Sequence, residues 1–314
     1  MLLAVLGIVG GLAVLTAAAD WFVLGAVRLA ARLRLSSVVI GAVVIGFGTS
    51  APEMVVSGLA SGQGKLDIAV GNVIGSNVAN LSLVLGAAAL VTTVTVAGRT
   101  IRREVPLMVT ASVVFALLVQ GGLTRVEGTI LLVGIVAAIG YILYSASGGG
   151  DEELTGEVEE FLTDAPIDLP RESLRTLAGL VGTLVAAQVL VMSATRVAEG
   201  FGLAEGFVGL TIVAIGTSLP ELATALQAAR KDETDLIVGN LLGSNVFNSL
   251  AVGGIAAMAG PGPVGDPVLT GAAIWLMLAI ALGATVFMRT GHRVVRQEGG
   301  ILLAVWLGTL PLLA

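Results

Sequence analysis

The sequence predicts an all-α polytopic membrane protein with ten transmembrane helices, arranged as two inverted repeats of five helices. Three observations predict this fold: an apolar composition, a sided distribution of basic residues, and an ungapped internal repeat. Of the 314 residues, 56% are hydrophobic and 12% are charged, and the mean hydropathy is +0.99. A soluble domain would carry about 25% charged residues. Apolar runs long enough to cross a bilayer as helices recur from end to end.

The apolar runs, separated by polar segments, define ten spans. The predicted limits are 2–26, 38–61, 67–91, 104–121, 126–146, 174–198, 206–229, 235–259, 267–288 and 298–313. The first run is interpreted as a membrane helix, because it lacks the basic residues that open a secretory signal peptide and is longer than the apolar stretch of one.

The basic residues of the connecting segments separate into two sets. Segments that follow odd-numbered spans hold thirteen of the sixteen: Arg28, Arg32, Arg34, Arg99, Arg102, Arg103, Arg171, Arg175, Arg230, Lys231, Arg289, Arg293 and Arg296. Segments that follow even-numbered spans hold Lys65, Arg125 and Arg196. A miscounted span would mix the two sets. The excess of basic residues predicts that the first side is cytoplasmic and that both termini are extracellular.

An acidic segment separates the two halves of the chain. Residues 147–173 open with SGGGDEE and contain much of the acid behind the formal net charge of −6. The negative charge is therefore assigned to a flexible cytoplasmic linker, with a regulatory ion-binding role as the alternative, and predicts no nucleic-acid surface. Residues 1–146 then form the first five-helix repeat and residues 174–314 the second.

Residue types that are absent or rare exclude several functions. The chain has no cysteine and a single histidine, His292, which excludes disulfides, thiolate chemistry and histidine-rich metal sites. The sequence offers no nucleophile–base pair, no phosphate-binding loop and no ATPase domain, so an enzyme and a primary pump are rejected. No cofactor and no obligate protein partner are expected beyond the lipid bilayer.

The two halves contain an internal repeat. Shifting the chain by 168 positions aligns Gly41–Gly86 with Gly209–Gly254 without a gap. Identical pairs include Gly48/Gly216, Thr49/Thr217, Ser50/Ser218, Pro52/Pro220, Glu53/Glu221, Asp67/Asp235, Gly71/Gly239, Asn72/Asn240, Gly75/Gly243, Ser76/Ser244, Asn77/Asn245 and Asn80/Asn248. Because each repeat holds five spans, the second copy enters the membrane from the opposite side, as in many secondary transporters. Duplication alone would also fit a channel.

The repeat places a carboxylate at equivalent central positions, Glu53 and Glu221. A carboxylate at this depth costs about 3 kcal/mol on insertion scales, and neither 38–61 nor 206–229 contains a basic residue. Two facing carboxylates would repel each other, and one would take up a proton unless a cation lay between them. A divalent cation would neutralise both, so the pair predicts a cation site.

The residues around the glutamates supply further oxygen ligands. Pro52 and Pro220 free backbone carbonyls a turn earlier, and such carbonyls are tolerated at membrane depth where they are buried or line a cavity. Carbonyls, hydroxyls and carboxylates are the hard ligands that calcium and sodium prefer. Ser76 and Asn80 are four residues apart and share one helix face. Asp67 and Asp235, at the entrances of their spans, are interpreted as helix caps.

The segments GTSAPE…GNVIGSNVAN and GTSLPE…GNLLGSNVFN resemble the two alpha repeats of the calcium/cation antiporter superfamily, in particular its prokaryotic sodium/calcium exchanger branch. The proton-coupled branch has asparagine where Thr49 and Thr217 stand. The resemblance implies that calcium is held by the carboxylates of Glu53 and Glu221 and the carbonyls of Thr49 and Thr217. It implies that sodium uses these groups together with Ser50, Ser76, Ser218, Ser244 and the carbonyls of Gly46 and Ala214. Asn80 and Asn248 would flank the central position.

The resemblance also implies a mechanism: alternating access in the plasma membrane, with three sodium ions exchanged for one calcium and net charge moved. Spans 1 and 6 are the expected sliding pair. Asn248 departs from many relatives, which have aspartate there, and this puts the stoichiometry in doubt and argues against potassium dependence. A proton-coupled exchanger of calcium or another divalent cation, and a passive cation channel, are the alternatives.

Overall fold

A computed structural model describes residues 2–33, 49–146 and 168–312. Its helices are α1 (Leu2–Arg32), α2 (Ala51–Gly62), α3 (Leu66–Val91), α4 (Gly98–Gly121), α5 (Arg125–Ala146), α6 (Leu169–Phe201), α7 (Glu205–Thr217), α8 (Leu219–Arg230), α9 (Thr234–Ala259), α10 (Leu269–Arg289) and α11 (Arg296–Leu312). Two short strands, β1 (Val94–Thr95) and β2 (Arg293–Val294), pair antiparallel.

Seven of the described helices are long and apolar enough to cross a membrane, and α7 and α8, bent by 43° at Ser218, form an eighth candidate span. Helices α2, with 12 residues, and α11, with 17, are shorter. Residues 38–48, the first part of the predicted second span, lie outside the described residues. The protein is thus a multi-pass helical membrane protein, and ten spans stay a prediction.

One predicted boundary is wrong. Helix α6 begins at Leu169, so residues 169–173 of the predicted linker are helical. Pro170 lies in the first turn, where a missing N–H group costs no hydrogen bond. Glu172 is 2% exposed: its Oε1 lies 3.3 Å from Arg28 Nε, and its Oε2 accepts a hydrogen bond from Arg175 at 2.8 Å. This acidic residue therefore belongs to the bundle and links α6 to α1.

Helices α3 and α9 form the centre of the protein and run antiparallel. Along the most apolar stretch of each of these helices, 83% of the residues are buried, compared with 28% in α1 and 22% in α5. Each contains one π-helical turn, over Asn80–Val84 in α3 and Asn248–Val252 in α9. These turns are related by the same shift of 168 residues as the sequence repeat, and π turns of this kind occur frequently at functional sites.

Helices α1 and α6 pack against each other along their length, outside this centre. They also run antiparallel, because Gly7 lies against Ser193 and Gly25 against Thr176. A Cβ atom added to Gly25 would lie 2.9 Å from the backbone nitrogen of Thr176, which cannot rotate away, so this approach requires glycine.

Contacts between connecting segments follow the predicted path of the chain. Strands β1 and β2 join the segment after α3 to the segment after α10. Leu123 and Gly262 exchange two backbone hydrogen bonds of 2.9 Å, which join the segments after α4 and α9. Lys65 forms an ion pair with Glu205. Each contact joins two segments that the basic-residue pattern assigns to the same side of the membrane.

The predicted helix caps are wrong. Lys65 and Glu233 hold the N-cap positions of α3 and α9, and neither makes a side-chain capping bond. Asp67 Oδ1 instead accepts a hydrogen bond from the backbone N–H of Gly265 at 2.8 Å. The carboxylate thereby ties α3 to the segment that follows α9.

Candidate cation-binding site

The two glutamates lie at equivalent helix starts. Ser50 and Ser218 hold the N-cap positions of α2 and α8 with nearly the same backbone angles, φ −89° and ψ 6° or 7°. A proline follows in each first turn, and Glu53 and Glu221 come next. Unpaired N–H groups at a helix start favour a nearby negative charge. The local sequence therefore presents a carboxylate in the same way in both repeats.

Both carboxylates are buried, and no basic side chain among the described residues pairs with either of them. Glu53 is 1% exposed and Glu221 is 2% exposed. Both carboxylate oxygens of Glu53 and Oε2 of Glu221 have no hydrogen-bond partner among the described residues. The two groups are close enough for their charges to repel each other. A buried charge needs an opposite charge or a coordinated metal, so this arrangement is suited to a bound cation.

Buried hydroxyl groups accompany the glutamates. In the described part of the chain, the Oγ atoms of Ser50, Ser218 and Ser244 are buried and have no partner. Ser76, also buried, reaches Asn72 Oδ1 only at 3.5 Å. Buried hydroxyls are normally hydrogen-bonded. All four predicted serines are therefore buried, three of them with an oxygen free for an ion.

The predicted asparagines lie in the same region, between α3 and α9. Asn80 and Asn248 are 0% and 1% exposed. Asn80 Oδ1 and both polar atoms of the Asn248 side chain have no partner within the described residues. Neutral carbonyl oxygens of this kind add ligands without adding charge.

The predicted carbonyl ligands are placed less uniformly. Thr217 is buried, and its hydroxyl lies 3.2 Å from Asn72 Oδ1 and 3.3 Å from the carbonyl of Ala214. The N–H of Ser218 donates to the Ala214 carbonyl at 3.0 Å, and the single hydroxyl proton of Thr217 can bond to only one of its two acceptors. Thr49 is half-buried just before α2. Gly46 lies outside the described residues.

Two further polar residues were missed by the sequence prediction. Asn72 donates to Ser57 Oγ at 2.9 Å and lies within hydrogen-bonding distance of the Thr217 hydroxyl, so it joins α2, α3 and α7. The repeat pairs Asn72 with Asn240, and a duplicated amide inside an apolar span was the signal that could have found it. Ser57 corresponds to Ala225, so the repeat could not reveal it.

Close helix packing brings these groups together. A Cβ atom added to Gly75 would lie 2.3 Å from the carbonyl oxygen of Leu210. Helix α3 therefore contacts the backbone of α7 directly, an approach that a small residue permits. Within the described ranges, no group of three or more His, Cys, Asp or Glu side chains could hold a metal. The charge of the site thus comes from two glutamates.

Comparison with known proteins agrees with this geometry. The chain matches the family described as sodium/calcium exchanger protein over residues 3–146 and 174–313. It is 39% identical over 314 residues to CaxA of Alkalimonas amylolytica, provisionally named an antiporter, covering 98% of each chain. It is 38% identical to the inner membrane protein YrbG of Escherichia coli (strain K12), covering 99% of this chain and 97% of the relative. A solved structure of the sodium-calcium exchanger NCX_Mj, soaked with Na+ and Sr2+, matches with a TM-score of 0.68 and 26% identity, covering 99% and 98% of the two chains.

Proposed function

Because the chain belongs to the sodium/calcium exchanger family, we propose that it exchanges sodium for calcium across the plasma membrane by alternating access. The observation that carries the proposal is the pair Glu53 and Glu221, both buried at equivalent helix starts, with no basic side chain among the described residues paired with either. Calcium would neutralise both carboxylates, and sodium ions would occupy the same region when calcium leaves.

The proposed ligands are the oxygens that surround this pair. Calcium is held by the carboxylates and by the carbonyls of Thr49 and Thr217. The sodium ions add the hydroxyls of the four serines, the carbonyls of the two small residues and the flanking amides: Ser50, Ser76, Ser218, Ser244, Gly46, Ala214, Asn80 and Asn248. Sodium binding at Ala214 would share that carbonyl with the N–H of Ser218, which donates to it at 3.0 Å.

Charge arithmetic links the site to its stoichiometry. Two carboxylates give the empty site a charge of −2, because Asn248 adds an oxygen and no charge. One calcium or two sodium ions bring the site to zero, and a third sodium ion brings it to +1. Exchange of three sodium ions for one calcium therefore moves one positive charge, whereas a ratio of two to one is electroneutral. We propose the three-to-one ratio.

The proposed architecture is two inverted five-helix repeats, 1–146 and 174–314, with both termini outside and the segment between them in the cytoplasm. Antiparallel pairing of α3 with α9 and of α1 with α6 supports it, since equivalent spans of an inverted repeat must run in opposite directions.

The test is radioactive calcium uptake into proteoliposomes loaded with sodium and diluted into sodium-free buffer. We expect uptake that needs the outward sodium gradient, increases when the interior is held positive, and is lost in Glu53→Gln. Glu127→Gln is the matched control, because Glu127 also lies in the first turn of a membrane helix but bonds to Thr124.

Other outcomes would assign the protein differently. Calcium uptake driven by a pH gradient and indifferent to sodium would place it among proton-coupled exchangers, with the same glutamates as proton carriers. Calcium flux without any counter-ion would indicate a channel. Sodium-driven uptake that ignores membrane potential would indicate the two-to-one ratio.

A further inference from the structure

One hydrogen bond joins the two repeats at the centre of the site. Asn80 in α3 donates from Nδ2 to Oδ1 of Asn245 in α9, at 3.1 Å. Both residues are fully buried, and Asn80 Oδ1 is left without a partner in the described part of the chain. An amide carries donors on one side and an acceptor on the other. The acceptor supplied by Asn245 therefore fixes which side of the Asn80 amide faces the site.

The sequence repeat predicts a second bond of the same kind. The shift of 168 residues relates Asn80 to Asn248 and Asn77 to Asn245, so the equivalent bond runs from Asn248 Nδ2 to Asn77 Oδ1. Those two atoms, a donor and an acceptor, are both buried and without a partner among the described residues. Asn77 instead donates from Nδ2 to Ser249 Oγ at 2.9 Å. One of two equivalent bonds is thus formed and the other is open.

We propose that Asn245 and Asn77 are positioning residues for cation binding. Asn245 accepts a hydrogen bond from the NH2 group of Asn80, and Asn77 would accept the equivalent bond from Asn248 when it forms, so that each directs the oxygen of that amide toward the ion. An amide turned by 180° would present its NH2 group to the cation. The inference rests on the proposed function, because it names residues that support the same cation site.

Equilibrium binding of radioactive calcium to the purified protein in sodium-free buffer tests the proposal without requiring transport. We expect Asn245→Leu to weaken calcium binding by about tenfold, the usual size for losing a group that orients a metal ligand. Asn77→Leu is expected to act in the same direction. The matched control is Ser82→Ala, also buried in α3, whose hydroxyl bonds to the Val78 carbonyl of its own helix.

Two further variants separate positioning from a purely structural bond. Asn245→Gln keeps a neutral accepting oxygen without adding a charge to the site, and should retain more calcium binding than Asn245→Leu. In a protein that already carries Asn80→Ala, no amide is left to orient, so adding Asn245→Leu should weaken binding no further. A helix-packing role alone would make the two changes additive.

Unchanged binding in Asn245→Leu, or additive losses in the double variant, would overturn the positioning role. If Asn245→Leu does not fold, the comparison of Asn245→Gln with Asn245→Ala serves the same purpose. The proposed function is judged by a different variant. If Glu53→Gln loses calcium binding and Asn245→Leu does not, the positioning role is overturned and the proposed function is retained. Absence of calcium binding to the unmodified protein would overturn it and the positioning role together.

Discussion

The hydroxyl groups of the central helices and of α6 are chemically alike, but the structure treats them in opposite ways. In the centre, the hydroxyls of Ser50, Ser218 and Ser244 are buried without a partner in the described residues. In α6, Thr176 and Thr183 each donate at 2.8 Å to a carbonyl one turn earlier in their own helix. Such back-bonding satisfies a hydroxyl locally. The three serine hydroxyls are therefore available to a ligand, whereas those of Thr176 and Thr183 are not.

The same contrast separates binding from movement. The contact between α3 and α7 brings backbone against backbone beside unsatisfied oxygens, which suits a fixed cage. The contact between α1 and α6 is lined by small residues, and most of the α1 surface lies outside the core. A seam of small residues offers few obstacles to sliding, so we propose that the central helices hold the ions while α1 and α6 control access.

The largest expected effect comes from removing one of the two carboxylates of the candidate cation site. Glu221→Gln should lower sodium-dependent calcium uptake by at least about 100-fold, or about 2.7 kcal/mol, because one carboxylate cannot neutralise a divalent ion. Equal losses in Glu221→Gln and Glu53→Gln would confirm that the repeats contribute equally. Uptake within about twofold of the unmodified protein would show that the cage does not depend on this pair.

The next effect concerns the stability of the contact between α1 and α6 at the ion pair of Glu172. Glu172→Gln removes the buried carboxylate that pairs with Arg28 at 3.3 Å and Arg175 at 2.8 Å, and should destabilise the protein by about 3 kcal/mol. The measurement is the melting temperature of the detergent-solubilised protein. Glu199→Gln, at an exposed position of the same helix, is the control. Equal melting temperatures for the two variants would contradict a stabilising role for this ion pair.

A smaller effect tests whether the outer pair moves. Gly7→Ala places a methyl group 2.2 Å from Ser193 Oγ, whereas Gly10→Ala meets no described atom within 4 Å. We expect Gly7→Ala to lower the maximal exchange rate by about fivefold, or about 1 kcal/mol in the barrier, with unchanged apparent affinity for calcium. Gly10→Ala should leave both unchanged. A changed apparent affinity for calcium in Gly7→Ala would instead indicate that α1 contributes to the cation site.

The smallest effect compares the two kinds of hydroxyl directly. Ser218→Ala removes an unpartnered oxygen and should raise the sodium concentration for half-maximal exchange by about threefold, or about 0.7 kcal/mol. Thr183→Ala removes a buried hydroxyl that already bonds within its own helix, so the apparent sodium affinity should not change. Equal effects would remove the distinction between the two regions.

Much of the fold was predictable because membrane helices depend on long apolar runs, and most of the predicted limits lie within a few residues of the observed ones. The buried positions of Glu53 and Glu221 followed from their duplication. The start of α6 was mispredicted because Glu172 looks like linker acid until Arg28, distant in the chain, is placed beside it. Asp67 was mistaken for a cap because its partner, Gly265, belongs to the other repeat. Contacts of this kind depend on tertiary packing, which local sequence patterns do not encode.

The contacts between connecting segments constrain how the protein can open. Strands β1 and β2 pair the two repeats on one face of the protein. The backbone bridge between Leu123 and Gly262 pairs them on the other face. The two repeats cannot separate by a hinge motion at either face without breaking one of these two contacts. The motion that remains is translation of a helix that takes part in neither contact. In the proposed mechanism, movement of α1 and α6 would therefore open the route to each side of the membrane, while the central helices hold the ions in place.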